Sequence, residues 1–169
     1  MAILPFVNMD NPVLHQKAKR VRKIDSSIQK LVDDMIDTMR SMGMAAGLAA
    51  PQVGVPLQVT VIELPDEEDV ITLINPEVVE KLGEREVIEG CLSLPGYRGE
   101  IKRSESVMVR GRDRHGKLIR IKAEGLLAEV LEHEIDHLNG IVYLDHLESK
   151  DKLYKTEPEN EQGPGRSEQ

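Results

Sequence analysis

The order of hydrophobic periods along the chain constrains its fold more than any other feature. One helical run stands near the N-terminus, a long strand-like tract fills the middle, and a second helical run lies near the C-terminal end. Residues 25–42 carry Ile28, Leu31, Val32, Met35, Ile36 and Met39 at helical spacing. Asp25 or Ser26 is placed to cap this helix and Gly43 to stop it. Residues 1–24 read as an extended arm interrupted by Pro5 and Pro12. From Leu57 the period changes, and strands are expected at 57–62, 70–74, 77–81, 84–88, 101–103, 107–110 and 118–121. The acidic stretch 63–69 reads as a solvated hairpin tip and 113–116 as a turn. Residues 125–138 return to helical period and end at Asn139-Gly140, a good left-handed stop. Helix, many strands, helix implies an α+β fold with mostly antiparallel sheet and an N-terminal amphipathic helix. A single domain is expected over 1–147, followed by a polar tail, 148–169, disordered from about residue 156.

Composition narrows the function classes. The 169 residues are 40% hydrophobic and 31% charged, which suits a globular chain with a sizeable core. A net charge of −8 argues against direct nucleic-acid or membrane binding, and 2% aromatic content with no Trp argues against a base-stacking surface. No signal-peptide pattern and no run long enough to span a membrane is visible, so the expected location is cytoplasmic. One cysteine excludes an intramolecular disulfide. A lone cysteine is most often a small buried hydrophobe.

The chemically informative string is His133-Glu134-Ile135-Asp136-His137. Residues four apart share a helix face, so His133 and His137 can present two imidazoles to one metal ion. At about 100° per residue, Leu127, Leu131, Ile135 and Leu138 form one apolar face, with Leu126, Val130, His133 and His137 in an adjacent stripe. Glu134 falls at their junction; Glu129, Glu132 and Asp136 fall on the far, polar side. The string is short and shared with metallopeptidases, whose extended pattern would place a third histidine at Tyr143. Among the remaining candidates the soft, strong ligand is Cys91, in Glu89-Gly90-Cys91-Leu92-Ser93. Spacing alone does not bring that loop to the helix.

Three motifs in order, Gly47-Leu-Ala-Ala-Pro-Gln52, Glu89-Gly-Cys-Leu-Ser93 and His133-Glu-Ile-Asp-His137 with Leu138-Asn-Gly140, resemble those of the peptide deformylase family. The resemblance covers about residues 2–147. It implies antiparallel sheets packed around the central C-terminal helix that carries the histidines. It implies a divalent metal held by Cys91, His133 and His137, ferrous iron in the cell, with zinc, nickel or cobalt able to substitute. Glu134 would act as general base and then acid, and Gln52 and the Leu92 backbone N–H would meet charge on the formyl oxygen. The reaction implied is hydrolysis of the formyl group from N-formyl-methionyl nascent peptides, with the ribosome near its exit tunnel as a possible partner. Gly47 would admit the peptide backbone; Ala46, Val87, Leu126 and Val130 would form the methionine pocket; Arg98 would touch the peptide. Glu89 and Asp136 would orient ligands from behind.

Three departures from the family pattern stand out. Ala45 replaces the first glycine of the first motif. Glu132 replaces the common glutamine before His133 and, facing outward on the wheel, is expected to have little effect. Glu129 stands near the pocket rim, where it should disfavour acidic residues downstream of formyl-methionine.

Overall fold

The computed structural model describes residues 2–43 and 45–156. In chain order the elements are α1 (Ser26–Ser41), β1 (Gly47–Ala49), β2 (Val59–Ile62), β3 (Ile71–Leu82), β4 (Arg85–Cys91), β5 (Leu94–Arg103), β6 (Ser106–Arg112), β7 (Leu118–Glu124), α2 (Gly125–Leu138) and β8 (Leu153–Lys155). The fold is α+β. A five-stranded antiparallel sheet runs β1-β2-β3-β6-β7 and a three-stranded antiparallel sheet runs β4-β5-β8.

α1 starts where the sequence places it. The Asp25 carboxylate accepts from the Ser27 and Ile28 amides at 3.0 and 3.2 Å, satisfying donors that the first helical turn leaves free. Its apolar stripe, Ile28, Val32, Met35 and Met39, packs on Leu48, Val59 and Val61 of β1 and β2. α2 lies between the layers. Ala128, Leu131 and Ile135 pack on Leu73, Val107, Val109 and Ala123 of the large sheet, while His133 and Asp136 reach Glu89 and Arg103 of the small one. A third apolar cluster, around Leu14, Ile101 and Tyr143, closes the small sheet from behind.

The N-terminal arm is a strap over these parts. The Val7 amide donates to the Gln52 carbonyl at 2.9 Å, the Met9 amide to the Ser93 carbonyl at 3.0 Å and the Ala18 amide to the Leu138 carbonyl at 2.9 Å. The loops carrying all three motifs are therefore held by one segment. Gly140 makes the last of these approaches possible: it adopts φ +75°, and a Cβ there would lie 2.7 Å from the Gln16 backbone.

The structure departs from the periodicity at several elements. The stretches expected as separate strands at 70–74 and 77–81 are one strand, β3, with a register shift between Ile74 and Glu77. Asn75 turns through the bulge at φ +53°, a conformation asparagine tolerates, and its side chain bonds both the amide and the carbonyl of Val21 at 2.8 and 2.9 Å. β1 lies in the small-residue segment that has no strand pattern; its pairing with β2 (Gly47↔Ile62) comes from backbone groups alone. β5 begins at Leu94 rather than 101 because it pairs with β4 along nearly its whole length. Leu153–Lys155, inside the expected polar tail, forms β8 on the edge of β5, with Arg98 opposite Tyr154. The disorder expected beyond about 156 falls outside the described residues.

Candidate metal centre and active site

Helix and sheet bring three soft or borderline donors together. His133 and His137 project from adjacent turns of α2, and Cys91 ends β4 just before the tight turn to Leu94. One ligand atom from each lies within 4.8 Å of the others. The Cys91 Sγ is 3.4 Å from His137 Nε2, which is 3.2 Å from His133 Nε2. Metal–nitrogen and metal–sulfur bonds of about 2.0–2.3 Å give tetrahedral edges of roughly 3.3–3.5 Å, so the donors are spaced to share one ion. Two ring nitrogens pointing at each other across 3.2 Å repel unless a proton or a cation lies between them. The donor set and its spacing fit a divalent metal.

A buried ionic network holds this arrangement from behind. His133 Nδ1 meets Glu89 Oε1 at 2.6 Å, and Arg103 donates to both Glu89 oxygens at 2.7 and 2.9 Å and to Asp136 at 2.6 Å. His146 closes the chain on Asp136 at 2.8 Å. Burial would raise the Glu89 pKa, but the Arg103 and His133 hydrogen bonds outweigh it and hold the group at about 2. An ionised Glu89 only accepts, so His133 must donate from Nδ1, leaving Nε2 as the metal-facing nitrogen.

Cys91 and His133 line a groove of about 460 Å³ whose walls also include Ala46, Gly47, Gln52, Leu92, Val130 and Glu134. Gln52 is 2% exposed; its Oε1 accepts from the Ala49 amide at 2.9 Å, which turns its NH₂ toward Cys91 Sγ, 3.5 Å away. Glu134 is 3% exposed, its Oε1 lies 3.8 Å from His133 Nε2, and its buried Oε2 has no protein partner.

The family model for polypeptide deformylase matches residues 3–153. The chain belongs to the polypeptide deformylase family. It is 55% identical to a peptide deformylase of Dehalococcoides mccartyi over 161 residues, covering 95% of this chain and 96% of that one. Among solved structures it is similar to a peptide deformylase from Legionella pneumophila (TM-score 0.85, 45% identity, 89% of each chain covered). It is also similar to one from Synechococcus elongatus in complex with actinonin (TM-score 0.84, 40% identity, 88% of this chain and 81% of that one). The enzyme is a metal-dependent hydrolase that removes N-formyl groups, and Cys91, His133 and His137 are its metal-binding site. No helix among the described residues is long and apolar enough to cross a membrane.

Burial dominates the electrostatics around the metal-binding site. It pushes the Glu134 carboxyl up to about 7, near the value at which one group can both take and give a proton. Burial, reinforced by the charge on His133, pushes His137 well below the ordinary imidazole range. At His133 the same burial is outweighed by hydrogen bonds to Cys91 and Glu89 and by the nearby Glu134 charge, and the shift is upward.

Most residues expected at the site are brought together, with some differences. Ala46, Gly47, Gln52, Glu89, Leu92, Arg98, Leu126 and Val130 all line the groove with Cys91, His133 and Glu134, while His137 is buried behind them at 1% exposure. Val87 does not; it packs into the small sheet's cluster, and its neighbour Ile88, 55% exposed, lines the groove instead. Leu126 is at the mouth, 49% exposed. Gly47 faces Glu134 closely: a Cβ there would lie 2.9 Å from Glu134 Cγ and 3.1 Å from Val130 Cγ1.

The far, polar side of α2 is not a solvent face. Glu132, expected to point outward, is 6% exposed, accepts from the Ser104 amide at 2.8 Å and lies 3.7 Å from Lys81 Nζ. Glu129 pairs with Arg85 at 3.7 Å on the groove wall. The loop after β5 and the small sheet cover this side of the helix, so its carboxylates meet partners rather than water. Arg103, which organises the network, carries no sequence signal of its own; an arginine in a strand reads as a surface charge.

Proposed function

We propose that the enzyme deformylates N-formyl-methionyl peptides as they leave the ribosome in the cytoplasm, using ferrous iron, with zinc, nickel or cobalt able to replace it. The observation that carries this reading is Glu134: a buried carboxyl with one unpartnered oxygen, facing the groove beside the Cys91–His133–His137 cluster. Cys91, His133 and His137 would hold a divalent ion, which would supply Lewis acidity to an attacking water and to the formyl oxygen. Glu134 receives the proton of the attacking water and returns it to the departing amine. The Gln52 amide, aimed by its bond from Ala49, and the Leu92 backbone N–H donate to the formyl oxygen as it gains charge. Formate and a peptide with a free amino terminus leave.

Substrate positioning follows from the groove. β1 pairs with β2 on one side only, so its other edge can receive an extended peptide. Ala46, Leu126 and Val130 offer apolar surface to the methionine side chain, and Arg98 lines the stretch of groove that the downstream peptide would occupy.

The test is formate release from formyl-Met-Ala-Ser by anaerobically purified enzyme, with elemental analysis of the same sample. Cys91→Ala should lose metal and activity together. Glu134→Gln should keep the metal and lose about 10²–10⁴-fold in kcat. Retention of both by Cys91→Ala would sink this reading, and zinc without iron in active, anaerobic enzyme would sink the metal assignment.

A further inference from the structure

A second groove, of about 1040 Å³, lies on the molecule and shares no lining residue with the catalytic one; Lys19, Arg20, Arg22 and Arg112 are among its walls. Between residues 11 and 24 the chain has no carboxylate, and Lys17, Lys19, Arg20, Arg22 and Lys23 are all exposed. The backbone there is fixed. Asn75 grips Val21 from both sides, and Lys19 exchanges backbone hydrogen bonds with Pro56 and Gln58 at 2.8 and 2.9 Å. Ala18 and Val21 turn inward, which leaves the cations facing out.

The cationic surface continues onto the large sheet through Arg112. In the β6–β7 pair Arg110 lies opposite Arg120 and Met108 opposite Lys122. Because side chains alternate across a strand, Arg110, Arg112, Arg120 and Lys122 share the outer face, opposite the Val107, Val109 and Ala123 that pack under α2. All four cations are exposed. Among the described residues only Arg110 of this face has a carboxylate partner, Glu77 at 3.0 Å. On the same outer face Glu80, opposite Met108, and Glu124, two residues beyond Lys122, are exposed at the end of the strand pair away from Arg112. Nearer the groove, Asp113 accepts from the His115 and Lys117 amides of its own turn, Asp25 caps α1, and Asp33 pairs with Arg114.

We infer that this face binds the phosphate backbone of RNA, without reading bases. The cations are spread along an arm and a strand pair instead of converging on one buried point, which suits a polymer of phosphates better than a single small anion. No aromatic residue lines the groove, so stacking on bases contributes nothing and contact is with the backbone. The chain's net charge of −8 does not prevent this. At physiological salt the Debye length is about 8 Å, so a bound phosphate feels the local cations and little of the acidic remainder. The choice of RNA over other polyphosphates rests on the proposed substrate, which emerges from an RNA-rich particle; the charge arrangement does not depend on it.

The experiment is fluorescence anisotropy of a labelled 24-base-pair RNA hairpin with the full chain, between 50 and 200 mM KCl. Binding with Kd on the order of 10⁻⁶–10⁻⁴ M and a log K against log[salt] slope of about −4 is expected. Arg20→Gln/Arg22→Gln/Arg120→Gln, all exposed positions, should weaken binding at least tenfold and flatten the slope by about three. Lys102→Gln/Lys152→Gln, on the small sheet's side, should bind as the parent does. Deformylation of formyl-Met-Ala-Ser and the melting temperature should not change in either variant, which separates failure of RNA binding from failure of the catalytic reading. Absence of binding at 50 mM KCl, or equal affinity of the triple variant, overturns the inference. Competition by polyglutamate as strong as by RNA also overturns it, in favour of an acidic polypeptide.

Discussion

Replacing Gly47 with alanine isolates the geometric demand of Glu134, the proposed general base. Gly47 is not at a positive φ, so alanine brings no backbone strain. The added Cβ would stand 2.9 Å from Glu134 Cγ and 3.2 Å from Cδ, where ordinary contact is 3.4–4 Å. Glu134 must therefore withdraw by about 0.5–1 Å, and at 3% exposure it has little space to do so. Misplacing a reacting group by about 1 Å costs on the order of 10²-fold in rate, or about 2.7 kcal/mol in the barrier. Stability should change less: overpacking costs about 1–3 kcal/mol, offset by about 0.4–1 kcal/mol from a stiffer unfolded chain. The variant should melt a few degrees lower, hold its full complement of metal, and lose about 100-fold in kcat for formyl-Met-Ala-Ser. If Gly47 mattered only for approach of the peptide backbone, KM would rise and kcat would hold. A folded, metal-loaded variant with kcat within threefold of the parent would refute the steric argument.

Other outcomes follow from the buried network and the groove rim. Arg103→Met removes a guanidinium whose side chain is 1% exposed and leaves Glu89 and Asp136 without their shared partner. The expected cost is about 3–5 kcal/mol, read as a fall in Tm of roughly 10 °C, and a 10–100-fold weaker hold on metal, read by competition with a chelator. Unchanged metal affinity would mean that Glu89 keeps His133 in place unaided. At the rim, a panel of formyl-methionyl peptides should show higher kcat/KM for basic than for acidic residues after methionine, and Glu129→Gln should level the difference. Equal values in the parent enzyme would remove that role for Glu129.

How much was legible in the sequence differs from element to element. Both helices were, because a stripe such as Ile28, Val32, Met35 and Met39 buried on one side leaves its period in the chain. β1 was not: Gly47, Leu48 and Ala49 carry no alternation, and their strand exists because β2 offers backbone partners. β8 is similar, a polar segment recruited to the edge of β5. At the site, the His133/His137 pair was visible from spacing within one helix. Cys91 was placed by resemblance to a family, since 42 residues separate it from His133 and nothing local couples them. Val87 and Ile88 show the reverse case: the choice between two adjacent apolar residues turned on which face of β4 meets the small sheet's core.

By itself the sequence determined the kinds of chemistry present: two imidazoles one helical turn apart, a carboxyl between them, one thiol, and the caps and turns that end each helix. Those are local properties, set by periods of 3.6 and 2 and by single residues at fixed offsets. The tertiary structure alone decided what each group faces. A helical wheel gives angles but not what covers them. α2 is clamped between two layers, so Glu132 on its polar side is buried against Ser104 instead of solvated. The same clamping brings Glu89, Arg103 and Asp136 from three elements into one network, and desolvates Glu134 until its pKa stands near 7. Burial and long-range pairing depend on every layer of the fold at once, and no window along the chain contains them.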